Sequence, residues 1–272
     1  TRKESSAASD VYKRQSVNSP SSPTGPADCC PLRARSSLRN PLDAPEASRF
    51  AEGMDSTPAA WSNADAYLAE LLVGHDPHLE SALSAQRDAG LPEIEVAPVG
   101  GKMLNLLARI SGARRVLEIG TLGGYSTIWL ARAVGPEGRV VTVEAEADNA
   151  AVARASIDAA GVGERVDIRI GRGADVLPTL VGGFDLVFID ADKESNTVYL
   201  DWAAKLGHPG TVIVLDNIGR EGEIVRADST DSKVVGTRDA LRMLGEDPRF
   251  DATALQTVGA KGWDGFALAV VV

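Results

Sequence analysis

Two apolar runs of the sequence each end in a carboxylate and carry further polar residues just beyond it. The first run ends at Asp190, with Lys193 three residues further on, and the second ends at Asp216, followed at once by Asn217. Short apolar runs of this kind are typical of buried parallel strands. Because ligands of open α/β sheets bind beyond the carboxyl ends of the strands, we expect these side chains to face one pocket. Two carboxylates, an amide oxygen and an ammonium predict a hard-cation site with a base beside it.

A glycine loop follows an earlier apolar run. Gly120, Gly123 and Gly124 have the spacing G-x-x-G-G, with Glu118 before the first glycine. Glycines let the backbone approach a ligand closely, and the next helix N-terminus offers N–H groups to an anion, either a phosphate or the carboxylate of an amino-acid-like cofactor. Glu144 ends the next predicted strand, where an acid can accept both hydroxyls of a ribose, so nucleoside binding is predicted. The dinucleotide fingerprint is G-x-G-x-x-G, which makes a nicotinamide-dependent oxidoreductase the less favoured alternative.

Alternating strands and helices must position these residues. Strands are predicted at 115–119, 139–144, 166–170, 184–190 and 211–216. Helices are predicted after them at 125–134, 147–160, 174–180, 196–206 and 232–244. Two last strands, 252–258 and 266–272, have no helix between them and predict an antiparallel hairpin. Amphipathic helices at 64–73, 79–89 and 98–110 come first. The expected fold class is α/β: a doubly wound, mostly parallel seven-stranded sheet with an antiparallel C-terminal hairpin and N-terminal cap helices.

Composition narrows the function classes. The net charge of −10 disfavours a nonspecific nucleic-acid or anionic-membrane surface, because binding phosphates needs a basic face. No apolar run approaches the roughly 20 residues needed to cross a bilayer. The two cysteines, Cys29 and Cys30, are adjacent and form neither a disulfide framework nor a metal-ligand spacing, so a cytoplasmic location is expected.

Residues 1–53 differ from the rest of the chain. They are rich in Ser, Pro and Arg and have no apolar period, and no apolar stretch of signal-peptide type occurs among them. We expect a disordered or non-native tail over residues 1–53 and a single domain over residues 54–272.

The motifs together resemble a known family, the cation-dependent class I S-adenosylmethionine (SAM) O-methyltransferases of the caffeoyl-CoA and catechol O-methyltransferase-like group. The similarity runs from about residue 94 to the C-terminus, with residues 117–126, 184–193 and 216–217 in the family's order and an Asp-Gly turn at 264–265. The resemblance implies a Rossmann-like methyltransferase fold. It also implies SAM- and divalent-metal-dependent O-methylation of a small catechol-like or other vicinal-dihydroxy acceptor.

The resemblance also implies site roles. The implied metal ligands, for Mg²⁺ or another divalent cation such as Ca²⁺ or Mn²⁺, are Asp190, Asp216 and Asn217. The implied catalytic residues are Lys193, as the base, and Asp190. The implied cofactor-binding residues are Val96, Glu118, Gly120, Thr121, Ser126, Glu144, Ala174 and Asp190. Among these, Glu144 would hold the ribose, Ala174 would lie near the adenine and Val96 would make a backbone contact.

The substrate and the partners are expectations of the same kind. A small hydroxylated acceptor, no nucleic acid, no membrane and a homodimer are expected. The alternative acceptor within the same chemistry is a hydroxylated uridine of tRNA, which the acidic balance disfavours. The plant enzymes of this family that act on coenzyme A esters carry a Trp-Asn pair where this sequence has Ile218-Gly219-Arg220-Glu221. The plant substrate is therefore not expected for this protein. Arg220 and Arg226 are predicted to contact the acceptor.

Overall fold

The computed structural model describes residues 57–272 of the chain. The predicted tail, residues 1–53, lies outside the described residues, as do the first three residues of the predicted domain. No helix within the described range has the length and apolar character needed to span a membrane. The cytoplasmic location and the homodimer stay predictions.

Three helices precede the sheet: α1 (Pro58–Leu72), α2 (Pro77–Asp88) and α3 (Pro98–Ile110). Each has a proline in its first turn, where the fixed φ suits a helix and the missing N–H is not needed. The N-cap of α2 is Asp76, whose carboxylate accepts the backbone N–H groups of His78 and Leu79 at 3.1 Å. Helix α1 begins at Pro58 rather than at the predicted residue 64.

Strands and helices then alternate. The strands are β1 (Arg115–Ile119), β2 (Arg139–Glu144), β3 (Val166–Ile170), β4 (Leu186–Ile189), β5 (Val212–Asp216), β6 (Phe250–Gly259) and β7 (Gly262–Val271). The helices are α4 (Tyr125–Ala133), α5 (Ala147–Ala159), α6 (Gly173–Val176), α7 (Asn196–Leu206) and α8 (Ser232–Glu246).

Within residues 57–272 the seven strands form one sheet in the order β3-β2-β1-β4-β5-β7-β6. Strands β1 to β5 are parallel, whereas β7 is antiparallel to both β5 and β6. The predicted doubly wound, mostly parallel sheet with an antiparallel C-terminal hairpin is therefore confirmed.

Apolar clusters cover both faces of the sheet. One contains Leu104, Ile128 and Phe188, and the other contains Leu200 and Leu215. Successive residues of β4 alternate between the two clusters, as side chains of a strand must. Burying each large apolar side chain contributes about 1.5–3 kcal/mol, so the two clusters rigidly support the loops at the strand ends.

Two predicted elements are shorter than expected. Strand β4 covers only Leu186–Ile189 of the predicted 184–190, and Asp185 instead uses its carboxylate to accept the N–H groups of Arg114 and Arg115, at 2.7 and 2.8 Å. The predicted helix 174–180 is α6 followed by a 3₁₀ turn, Leu177–Thr179. Its Pro178 supplies no N–H for a continued α-helix.

Candidate active site

The carboxyl ends of β4 and β5 bring the first two acids together. Asp216 is the last residue of β5, and Asp190 directly follows β4, the neighbouring parallel strand. Burial raises the pKa of Asp216 to about 7, and the negative charge of Asp190 adds to this shift. The structure therefore places Asp190 close enough to oppose the ionisation of Asp216, as their positions at two strand ends predict.

Lys193 belongs to the same site. Its Nζ donates a hydrogen bond to Asp190 Oδ1 at 2.8 Å, and its side chain is only 8% exposed. It begins a 3₁₀ turn, Lys193–Ser195, that leads into α7. Helix α8 packs directly on this turn: a Cβ at Gly236 would lie 2.3 Å from the Lys193 carbonyl oxygen. The glycine thus lets α8 hold the lysine backbone in place.

Asn217 completes the oxygen donors. Its φ of +59° is left-handed, a conformation that asparagine adopts more readily than most residues, and its N–H donates to Asp216 Oδ1 at 2.8 Å. Within residues 57–272 its side-chain amide has no hydrogen-bond partner. No three His, Cys, Asp or Glu side chains in this range lie close enough to hold a metal ion. The role of Asp190, Asp216 and Asn217 as metal ligands stays a prediction.

The glycine loop lies against the same edge. Gly120 has a φ of +103°, and a Cβ there would lie 1.9 Å from the backbone oxygen of Asp190. Any side chain at residue 120 would push the end of β1 away from that of β4. Gly124, with a φ of +85°, caps the N-terminus of α4. Glycine is required at residue 120 to bring the loop and the acidic cluster together.

Glu144 is held by the loop it faces. Its Oε2 accepts the backbone N–H groups of Thr121 and Leu122 at 3.2 and 2.8 Å, and its Oε1 accepts that of Glu146 and the Asn149 amide at 3.1 and 3.2 Å. Glu144 thus takes two N–H groups of the glycine loop, because β2 ends directly beside β1. The N–H groups at the N-terminus of α4, which are predicted to face an anion, are not among them.

Glu118 is fully buried. Its carboxylate accepts the hydroxyls of Ser126 at 2.6 Å, Thr127 at 2.5 Å and Thr142 at 2.6 Å. Burial raises its pKa from 4.5 to about 7, although the three hydroxyls oppose the shift and the charge of Asp190 adds to it. The structure assigns Glu118 a clear role in orienting Ser126. Its direct contact with a cofactor stays a prediction.

We expect Glu118→Gln to remove a pH dependence of stability. The folded state holds this proton more tightly than the unfolded state, so the contribution is full below pH 4.5 and is lost as the pH rises to about 7. The free energy of unfolding of the variant relative to the native protein should therefore increase by about 3 kcal/mol across that window. Urea titrations of both proteins at several pH values measure this difference. Groups that both proteins share, such as His208, contribute equally to each and cancel in the difference. If the difference in the free energy of unfolding between variant and native protein does not change with pH, the raised pKa of Glu118 is wrong.

The remaining predicted cofactor-binding residues are Thr121, Ala174 and Val96. Thr121 is buried, and its hydroxyl is hydrogen-bonded to that of Thr142 at 2.6 Å. Ala174 is half-buried at the start of α6, directly beyond β3. Val96 is half-buried before α3 and packs against one apolar cluster. Their contacts with a cofactor stay predictions.

The two arginines predicted to contact the acceptor differ. Arg226 forms an exposed ion pair with Glu223 at 3.0 Å. Arg220 has a left-handed φ of +50°, and its backbone N–H is held by Asp264 at 3.1 Å. Its buried Nε has no partner among the described residues. Both arginines keep guanidinium N–H groups unpaired among the described residues, and their contacts with an acceptor stay predictions.

Three further side chains lie near this edge. Asn196 and Tyr199, soon after Lys193 in the sequence, are predicted as residues that could line the site, with a core position the alternative for Tyr199, whereas Gln86 was not predicted. Tyr199 donates a hydrogen bond to Asp192, and its ring lies against Gly173 at the start of α6. Asn196 is fully buried, and across residues 57–272 neither atom of its amide finds a partner. Gln86 reaches the glycine loop from α2. No motif or period indicates Gln86, because it contacts a loop distant in sequence.

Comparisons with known proteins agree with this arrangement. The sequence matches the O-methyltransferase family over residues 74–270. It is 56% identical over 220 residues to the catechol O-methyltransferase of Mycobacterium tuberculosis, covering 80% of this chain and 99% of the relative. A catechol O-methyltransferase of Niastella koreensis is 46% identical over 215 residues, covering 78% and 97%.

A solved structure shares the fold. The O-methyltransferase of Bacillus cereus was crystallised in complex with S-adenosylhomocysteine (SAH). Its structure matches this one with a TM-score of 0.78 at 47% identity, over 79% of this chain and 100% of the Bacillus cereus chain. The predicted Rossmann-like methyltransferase fold and the predicted enzyme class are both confirmed, and the chain belongs to the O-methyltransferase family.

Proposed function

We propose that this O-methyltransferase transfers the methyl group of SAM to one hydroxyl of a small catechol-like acceptor, with the help of a divalent cation. The observation that carries the proposal is the convergence of Asp190, Lys193, Asp216 and Asn217 at the ends of β4 and β5. The names of two relatives, both catechol O-methyltransferases, support the acceptor class. The SAH complex of the Bacillus cereus relative supports the cofactor.

The cofactor would lie along the ends of β1, β2 and β4. Glu144 is 7% exposed at the end of β2 and would accept the ribose hydroxyls, while Ala174 at the start of α6 would border the adenine. The close approach of Gly120 to Asp190 would place the methionine part beside the acidic cluster. The reactive methyl group would thereby face Lys193.

The donor set fits a hard divalent cation. Asp190 and Asp216 are two partly buried carboxylates, and the charge of Asp190 helps to raise the pKa of Asp216. Among the described residues, the ammonium of Lys193 forms an ion pair with Asp190. Carboxylate and amide oxygens are ligands that Mg²⁺, Mn²⁺ and Ca²⁺ accept. When bound, such a cation would lower the pKa of an acceptor hydroxyl and orient a vicinal pair.

Lys193 would move the proton. In its neutral form the Nζ lone pair takes the proton of the reacting hydroxyl, the new O–C bond forms, and the S–C bond of the sulfonium breaks. Its hydrogen bond to Asp190 then stabilises the resulting ammonium. Burial of the lysine and the packing of α8 on its backbone hold Nζ in one place. Holding reactants in line is worth about 7–11 kcal/mol in well-oriented model reactions.

A methyl-transfer assay tests the proposal. With SAM and Mg²⁺, we expect 3,4-dihydroxybenzoate to gain one methyl group by mass spectrometry, and the matched 3- and 4-monohydroxybenzoates to react at least about tenfold more slowly because they lack the second oxygen. Equal rates on all three acids would contradict a catechol-like acceptor. Transfer only to a hydroxyuridine-containing tRNA would favour the nucleic-acid alternative instead.

A further inference from the structure

A polar network connects the segment between α2 and α3 to two other parts of the molecule. This segment, residues 92–97, contains Val96. Gln86 of α2 is 1% exposed, and its Nε2 donates to the backbone oxygen of Pro92 at 2.8 Å and to Glu95 Oε2 at 2.7 Å. One buried amide thus fastens the segment to α2 at two points.

The other carboxylate oxygen of Glu95 reaches the C-terminal hairpin. Glu95 Oε1 accepts Lys261 Nζ at 2.8 Å, and the same ammonium donates to the backbone oxygen of Glu93 at 2.9 Å. Lys261 lies in the turn between β6 and β7. Burial raises the pKa of Glu95, but its bonds to Lys261 and Gln86 outweigh burial and hold that pKa below its ordinary value.

The network also touches the glycine loop. A Cβ at Gly123 would lie 2.6 Å from Gln86 Oε1 and 3.2 Å from Gln86 Cβ. This buried Oε1 accepts no hydrogen bond from any of residues 57–272. A buried amide oxygen without a hydrogen bond lowers the stability of the folded state. Packing of Gln86 against the glycine loop must offset this loss. Gln86 is therefore the point where the segment and the glycine loop meet.

We propose that Gln86, Glu95 and Lys261 form a latch that holds residues 92–97 against the glycine loop, and that the latch controls how fast the cofactor leaves. The inference rests on the proposed position of SAM beside the glycine loop and Val96. All three are positioning residues, since they would act through the segment rather than on the reacting atoms. Opening the latch frees residues 92–97 from both anchors while leaving the sheet intact.

The sharpest test changes Lys261, because its side chain is 45% exposed and its loss leaves no buried gap. We expect Lys261→Met to release S-adenosylhomocysteine (SAH), the product left by SAM, about fivefold faster in stopped-flow displacement. Lys261→Arg should restore the native rate by keeping the charge. Lys205→Met is the matched control: Lys205 pairs with Asp201 at 2.6 Å and is similarly exposed, but lies in α7 outside the latch. It should leave the SAH release rate unchanged.

A second variant and a melting curve separate positioning from folding. Gln86→Leu should also accelerate SAH release. Lys261→Met should leave the cofactor-free protein folded, with a melting temperature lowered only slightly because one partly exposed ion pair is lost. If native protein binds SAH but both variants release it within twofold of the native rate, the latch is wrong and the proposed function stands. If native protein does not bind SAH, the proposed function fails and the latch fails with it.

Discussion

Lys193→Ala is expected to lower kcat for methyl transfer by about 10²–10⁴-fold, the range that a positioned general base contributes. Lys193 Nζ is the one buried amine beside Asp190 among the described residues, and alanine leaves no amine in its place. The affinity for SAH, measured by calorimetry, should change little, since the glycine loop and Glu144 stay in place. The variant thus separates chemistry from cofactor binding.

Lys193→Arg is the matched control for the ion pair. A guanidinium keeps the positive charge beside Asp190 but does not give up its proton at any usable pH. If Lys193 acts as the base, the arginine variant should be nearly as slow as the alanine variant. If arginine restores most of the rate, the residue serves only to neutralise Asp190, and the proposed proton transfer is wrong.

Removing the cation should have an effect of similar size. Dialysis against EDTA is expected to lower turnover by at least about 10²-fold, and added Mg²⁺ should restore it, because several kcal/mol of activation would come from the bound cation. Asp216→Asn keeps the size of the side chain but removes one charged ligand. We expect that variant to need far more Mg²⁺ for the same rate. Turnover that survives both treatments would contradict a metal-dependent reaction.

The same variant should raise stability while it lowers activity. In metal-free protein, burial and Asp190 raise the pKa of Asp216 from 3.8 to about 7. The folded state loses stability as the pH rises through that window, because an unfavourable charge then forms in the site. At pH 8, metal-free Asp216→Asn should therefore melt at a higher temperature than the native protein. A lower melting temperature would mean that Asp216 supports the fold rather than a ligand.

Much of the fold follows from local patterns. The predicted bounds of β1, β2, β3, α3 and α7 agree with the structure residue for residue. Strand and helix periods and glycines at turns act over about ten residues, so one sequence reveals them. The starts of α1 and α2 at Pro58 and Pro77 precede the predicted residues 64 and 79. The placement of Asp190 and Asp216 also follows, because parallel strands must end at one edge of the sheet.

The partners of those residues were decided only by the tertiary structure. Glu144 accepts hydrogen bonds from two N–H groups of the glycine loop, and the buried carboxylate of Glu118 accepts hydrogen bonds from three hydroxyls. Gln86 and Gly236 shape the site from helices that no motif marks.

Local sequence thus determined which residues end each strand and turn each loop in this protein. The tertiary structure decided which of them are covered, which are paired and which remain open to a ligand. The physical reason is that burial and hydrogen bonding depend on segments far apart in the chain, whose contacts leave no period in a single sequence.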